Sequence, residues 1–343
     1  MTLAEVIAGR IAAAGPITLA EYMADCLLHP TLGYYTTRDP FGAAGDFTTA
    51  PEISQMFGEM VGLALAQTWL DQGAPSPVVL AELGPGRGTL MADILRATRA
   101  VPGFHAALRV CLVEASPVLR QRQADVLAGY AVDWFANVQE LPPGPLYLVA
   151  NEFFDALPIR QFQRDGSAWR ERLVGLAQGR LGFGLGPLVP LNTATEADIV
   201  EVCPAAPAIM AEVSGRIAAQ GGVALILDYG DWGSRGDTFQ ALKSNAFADP
   251  FAEPGQADLT AHVDFAALAA ASVAPHSYLT QGQFLRRLGI AQRAERLAQG
   301  LTGAALQSHL AAARRLTDDS QMGSLFKVLF VHPANCPLPP GTS

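Results

Sequence analysis

Apolar residues in the first quarter of the chain recur with the period of helices. Leu3, Val6, Ile7 and Ile11 share one face of a helix predicted to end near Gly15-Pro16. A second helix is predicted from Thr18 to about Leu28. From His29 to Ala50, the residues Pro30, Gly33, Pro40, Gly42 and Gly45 give a loop composition. Thr49-Ala-Pro-Glu52 then has capping-box spacing, with Thr49 as N-cap and Glu52 reaching back. Ile53, Met56, Phe57, Met60, Val61 and Ala64 follow at helical spacing, in a helix expected to pack on the core and end near Gly73.

The pattern changes after Pro75-Ser-Pro77. VVLAEL (78–83), LRVCLVEA (108–115), PLYLVANE (145–152) and GVALILDYG (222–230) are short runs apolar on both faces, as strands of a covered parallel sheet are. Between Arg160 and Leu185, IRQFQR, AWRERLVGL and RLGFGLG read as short antiparallel strands joined by Gly-containing turns. A helix is expected from about Ala205 to Gln220, then a long loop from Trp232 to Asp264 with no clear periodicity. Helices at about 263–272, 281–289 and 291–315 and a last strand starting at Ser324 complete the pattern. The expected fold is α/β: a doubly wound, mostly parallel Rossmann-like sheet with a helical N-terminal region and an inserted β meander. The expected domains are a helical cap (1–75) and a core (76–335) carrying the β insertion (159–190) and the long loop (232–264), followed by a tail (336–343).

Composition narrows the function classes. Of the 343 residues, half are hydrophobic and 16% charged, which excludes a disordered chain. The formal net charge of −9 argues against a nucleic-acid binder, which needs clustered Lys and Arg. Cys26, Cys111, Cys203 and Cys336 lie far apart without metal-ligand or CxxC spacing, and the histidines are dispersed, so no metal is expected. No apolar run reaches the roughly 20 residues of a membrane span. The N-terminus reads as an amphipathic helix and not as a targeting segment. The cytoplasm of a bacterium is the expected compartment; a mitochondrial matrix location would require a transit peptide already removed. Oligomeric state has no signature here.

The strongest chemical signal is ELGPGRGTL, a predicted strand running through Gly84-Pro-Gly86-Arg-Gly88 into a predicted helix. Such glycines let the backbone turn sharply and approach a ligand, and the helix presents its N–H groups to it. A dinucleotide loop is G-x-G-x-x-G, whereas here the third glycine comes one residue early. Glu82, two residues before Gly84, would repel a pyrophosphate but could accept hydrogen bonds from an ammonium. E-x-G-x-G-x-G therefore fits S-adenosylmethionine better than NAD. Glu114 ends the adjacent predicted strand, where a carboxylate can accept both hydroxyls of a ribose.

Asn151-Glu152-Phe-Phe-Asp155 ends the strand PLYLVA and puts an amide and two carboxylates beside the expected cofactor site. A carboxylate there can hold the planar fork of a guanidinium, and Asn151 can join the cofactor pocket. The alternative is that Asn151 and Asp155 cap a turn. Asp46 and Thr48, in a polar loop before the capped helix, are candidates to close over the cofactor. His262, with Asp264, is a candidate general base.

These segments, in order, resemble the MidA-like family, which includes the mitochondrial complex I assembly methyltransferase and bacterial relatives. The matching pieces are GPITLAEYM, HPTLGYY, GDFTTAPEISQMFGE, ELGPGRGTL, NEFFDALP, LILDYG and ADLTAHVDF. The resemblance implies a class I methyltransferase core and methylation of arginine on a protein, known for the mitochondrial member on a complex I subunit. One departure is KSNAF (243–247), where a Gly-His pair is expected in close relatives. Three other readings stay open: a small-molecule O- or N-methyltransferase, a non-catalytic assembly factor that retains a cofactor site, and an NAD-dependent oxidoreductase, which the glycine spacing and Glu82 oppose.

Overall fold

A computed structural model describes residues 1–37, 48–191, 196–234 and 236–342. The chain forms two units. The larger comprises Thr48–Phe154, Pro207–Gly230 and Phe265–Ser343; the smaller comprises Met1–Phe47, Asp155–Ala206 and Asp231–Asp264.

In the larger unit the strands are β1 (Val78–Leu83), β2 (Leu108–Val113), β3 (Val132–Phe135), β4 (Leu146–Asn151), β5 (Gly222–Asp231), β6 (His276–Thr280) and β7 (Phe326–Val331). They lie in the order β3-β2-β1-β4-β5-β7-β6. The pairs from β3 to β5 are parallel. The β5–β7 and β6–β7 pairs are antiparallel. Every residue of β1 and β4 is buried, which is why both read as unbroken apolar runs. The order reverses between β1 and β4, so the loops after these two strands flank a crevice where such sheets bind ligands.

The helices that matter here are α1 (Ala50–Ile53), α2 (Gln55–Asp71), α3 (Thr89–Thr98) and α4 (Pro117–Val126). The α2 helix, expected in an N-terminal cap, belongs to the larger unit. Met56, Phe57, Met60, Val61 and Leu65 share a core with Leu90, Met91, Ile94 and Leu95 of α3. A Cβ at Gly62 would stand 2.9 Å from Ile94 Cα, so glycine sets how closely these helices approach. The expected capping box is absent: Thr49 makes no side-chain cap bond, and Glu52 instead accepts from Thr89 Oγ1 at 2.5 Å. Ser54 interrupts the expected single helix and caps α2 by accepting from Met56 N–H.

Other differences lie in short elements. β3 and β6 were not apparent in the pattern. The helix expected at 291–315 is two, Ile290–Ala298 and Gly303–Thr317, split at a left-handed Gly300. The last strand begins at Phe326, after a helical turn at Met322–Leu325.

In the smaller unit, helices Leu3–Ala14 and Leu19–Leu28 each carry a full capping box, Thr2 with Glu5 and Thr18 with Glu21. Their apolar faces meet Ile17, Val174 and Leu259 in one core. The meander is present as antiparallel strands Arg160–Asp165, Ala168–Ala177 and Arg180–Val189, joined by Ile199–Val202. The stretch 232–264 is not the featureless loop expected. Gln240–Lys243, Ala246–Ala248 and Asp258–Thr260 form a small antiparallel sheet, too short in each strand for periodicity to show. KSNAF is its hairpin: Ser244 and Asn245 both have positive φ, at 52° and 59°, as a two-residue hairpin turn demands. No helix among the described residues is long and apolar enough to cross a membrane.

Candidate active site

The site in the larger unit begins at the end of β1. Gly84 N–H donates to Val113 O at 3.0 Å, which carries the β1–β2 pairing into the loop. Gly84, Gly86 and Gly88 have φ of 61°, 53° and 84°. Gly84 is doubly required, because a Cβ there would also lie 2.9 Å from the Phe153 ring. Gly88 is the N-cap of α3.

Glu82 is buried beneath this loop. Burial pushes its carboxyl up to about 8; the Met91 backbone N–H opposes the rise, and the Glu114 charge adds to it. Its Oε2 is buried and has no hydrogen-bond partner among the described residues. Asn151 Oδ1, at the end of β4, is a second buried acceptor with none among the described residues. Two idle acceptors at the tips of adjacent strands fit a ligand that brings several N–H donors, as the ammonium of S-adenosylmethionine would.

Glu114, just past β2, is buried, and burial raises its pKa. Its Oε1 accepts from Ser116 N–H at 2.8 Å and its Oε2 from Gln123 Nε2 at 3.1 Å.

Past β4, Glu152 has φ 51°, a left-handed conformation that costs a non-glycine residue of order 1–3 kcal/mol. Its Oε1 accepts from Ala50 N–H and from Asn151 Nδ2, each at 3.1 Å. Its N–H donates to Leu227 O at 2.9 Å. Asp228, fully buried in β5, holds the next residues: Oδ2 accepts from Phe153 N–H at 3.2 Å and Phe154 N–H at 3.0 Å, while Oδ1 accepts from Tyr229 N–H at 2.9 Å.

The sequence candidates thus divide. Glu82, Gly84, Gly86, Gly88, Glu114, Asn151 and Glu152 all stand at the carboxyl ends of β1, β2 and β4. Thr48 is half-buried just before α1. Asp46 lies outside the described residues. Asp155 and His262 belong to the smaller unit. Asp155 is buried and its carbonyl accepts from Ala261 N–H at 3.0 Å; His262 is half-buried and its N–H donates to Thr238 Oγ1 at 2.8 Å. Tyr35, which pattern reading passed over, donates to Asp258 Oδ1 at 2.8 Å in that unit. Burial, followed by the charges of Asp258 and Asp155, holds its phenol well above the usual range. Gln123 and Asp228 were also missed. Asp228 had a signal, a carboxylate inside the apolar run GVALILDYG, since a buried charge is kept only where it is satisfied.

A 3-2-1-4-5 parallel sheet closed by an antiparallel seventh strand, with a glycine loop after β1 and an acid after β2, defines a class I methyltransferase. Comparison with known proteins agrees. Residues 60–282 match the family described as S-adenosyl-L-methionine-dependent methyltransferase. The Xenopus tropicalis protein named protein arginine methyltransferase NDUFAF7, mitochondrial, is 38% identical over 94% of this chain and 84% of its own. The human protein of that name is 39% identical over 82% of this chain and 72% of its own. A crystal structure from Burkholderia thailandensis, bound to S-adenosyl-homocysteine, matches with a TM-score of 0.82 and 29% identity over 99% of this chain and 92% of that one. The chain belongs to the MidA-like family of S-adenosylmethionine-dependent methyltransferases.

Proposed function

We propose that this protein methylates arginine side chains of a protein substrate, with a subunit of respiratory complex I as the leading candidate and the bacterial cytoplasm as the compartment. The observation that carries the reading is the 38% identity, over 94% of the chain, to a protein arginine methyltransferase. The site residues support it. In this reading the backbone at Gly84, Gly86 and Gly88 lies along the cofactor, Glu114 takes its ribose, and Glu82 and Asn151 take its ammonium. Thr48 is proposed to help cover it, together with Asp46, which lies outside the described residues. When bound, S-adenosylmethionine supplies an electrophilic methyl group on a sulfonium.

The acceptor is a poor nucleophile, because a guanidinium is protonated and its lone pairs are delocalised. Glu152 is the carboxylate proposed to fix its plane and draw positive charge away from the reacting nitrogen. That nitrogen bonds to the methyl carbon as the carbon–sulfur bond breaks, and its proton passes to a carboxylate. Asp155 is the second candidate for this work and His262 the third.

Glu152→Gln tests the assignment, because the amide oxygen can still accept from Ala50 N–H. Affinity for S-adenosyl-homocysteine should stay within a few-fold while turnover falls about a hundredfold, the size typical of losing one preorganised charge. Turnover requires the acceptor, found by incubating lysate with labelled cofactor and locating the label by mass spectrometry. Label on a small molecule, or full turnover in the variant, would refute the reading.

A further inference from the structure

The α4 helix carries an oddity. Of its ten residues only Leu119 and Gln123 are buried, one turn apart on the face turned inward. A leucine at 123 would serve packing alone. A fully buried carboxamide is costly unless its hydrogen bonds are made, and here they are. Gln123 Nε2 donates to Gly86 O at 2.8 Å and to Glu114 Oε2 at 3.1 Å. Its Oε1 accepts from Trp134 Nε1 at 2.9 Å, from the edge strand β3. Two acceptors face one end of the amide and a donor faces the other, so only one orientation of the group satisfies all three.

We propose that Gln123 is a positioning residue that makes the site selective for ribose: it aims the Glu114 carboxylate at the two hydroxyls and locks that carboxylate to the glycine loop. The inference rests on the reading of Glu114 as the ribose acceptor. Glu114 takes Ser116 N–H on Oε1 and Gln123 Nε2 on Oε2, and the Ala115 backbone N–H also acts on this carboxylate. An ionised carboxylate offers about four acceptor sites, so acceptor capacity remains for the sugar. The protein donors fix the rotation of the carboxylate and decide where the remaining lone pairs point. A neutral amide does this without putting a cation on the carboxylate oxygens; the nearby Arg120 guanidinium bonds the Glu114 backbone carbonyl instead, at 2.8 Å. The bond to Gly86 O ties the group that reads the sugar to the loop expected to follow the amino-acid end. Ser116 secures the helix from its start, since its hydroxyl accepts from Leu119 N–H at 3.3 Å.

The test is calorimetric titration of the full chain with S-adenosyl-homocysteine and with its 2′-deoxy analogue. The ratio of the two dissociation constants measures ribose selectivity, and a merely destabilised fold would weaken both ligands alike. The intact protein should prefer the ribose ligand by about tenfold or more, the worth of one hydrogen bond to a charged group. Gln123→Leu should bring the ratio to within about threefold, and Glu114→Ala should abolish it, with the double variant no worse in ratio than Glu114→Ala alone, as expected for residues acting as one unit. Trp134→Phe, which removes only the donor to Gln123 Oε1, should lower the ratio part of the way and stands in for Gln123→Leu if that variant does not fold. A folded Gln123→Leu or Trp134→Phe protein with undiminished selectivity, beside a Glu114→Ala protein that has lost it, would overturn the role of Gln123 alone. Absence of selectivity in the intact protein would overturn the reading of Glu114 and the inference with it.

Discussion

Replacing Glu82 by glutamine should reveal a carboxyl group that destabilises the ligand-free protein. The side chain ionises near 4.5 when freely solvated and near 8 in the fold, chiefly because it is buried. As pH rises above 4.5 the unfolded chain releases this proton while the folded chain keeps it. The stabilising contribution is therefore fully present below pH 4.5 and is lost progressively up to about pH 8. Between 4.5 and 7, at roughly 1.4 kcal/mol per pH unit, the loss is about 3 kcal/mol. Glu82→Gln removes this dependence. The glutamine adds a buried N–H pair of its own, but that cost is nearly independent of pH and cancels when pH values are compared. Chemical denaturation of both proteins at pH 4.5, 6 and 7, with no cofactor present, gives the difference directly. The variant should gain about 3 kcal/mol on the parent across that range. A difference that stays constant with pH would refute the argument. If the ionised carboxylate pairs with an ammonium, affinity of the parent for S-adenosyl-homocysteine should also rise nearly tenfold per pH unit from 6 towards 8, since only the ionised fraction is competent. In the variant it should be flat and weaker.

Two further outcomes follow from the site. Asp228→Asn turns an N–H group towards at least one of the three backbone N–H groups that the carboxylate now accepts; the loss should be about 1.5–3 kcal/mol of folding stability, and an unchanged thermal midpoint would contradict it. Gly84→Ala places a methyl 2.9 Å from the Phe153 ring at φ 61°; the left-handed conformation alone costs roughly 1–2 kcal/mol, so cofactor affinity measured by titration should fall at least about tenfold.

How far the pattern of residues reveals this molecule depends on the range of the interactions. VVLAEL and LYLVAN are legible as strands because both their faces are covered. VDWF is not, because β3 is a four-residue edge strand with Asp133 exposed. The spacing of Thr49 and Glu52 permits a capping box, yet Thr89, 37 positions away, takes the carboxylate instead. In the site, the glycines are readable because only glycine tolerates their backbone and the approach of Phe153. Gln123 is not, because its meaning lies in Gly86, also 37 positions distant, and in the tryptophan of an edge strand. The left-handed backbone at Glu152 has no local signature at all; the neighbours that hold it come from β5 and α1.

The smaller unit is assembled from three separated stretches, and this bears on how a ribosome delivers it. Leu3, Ile7, Ile11, Leu19 and Met23 emerge first, but their partners Val174 and Leu259 are made much later. At a synthesis rate of about 5–20 residues per second, Val174 arrives some 6–25 s after the first stretch is complete, and Leu259 later still. During that interval the two capped helices have only each other and the rest of the first stretch, such as Ile17 and Tyr34, to cover their apolar faces. Faster elongation shortens that interval, and a circular permutant that begins at the meander would remove most of it by making Val174 and Leu259 first.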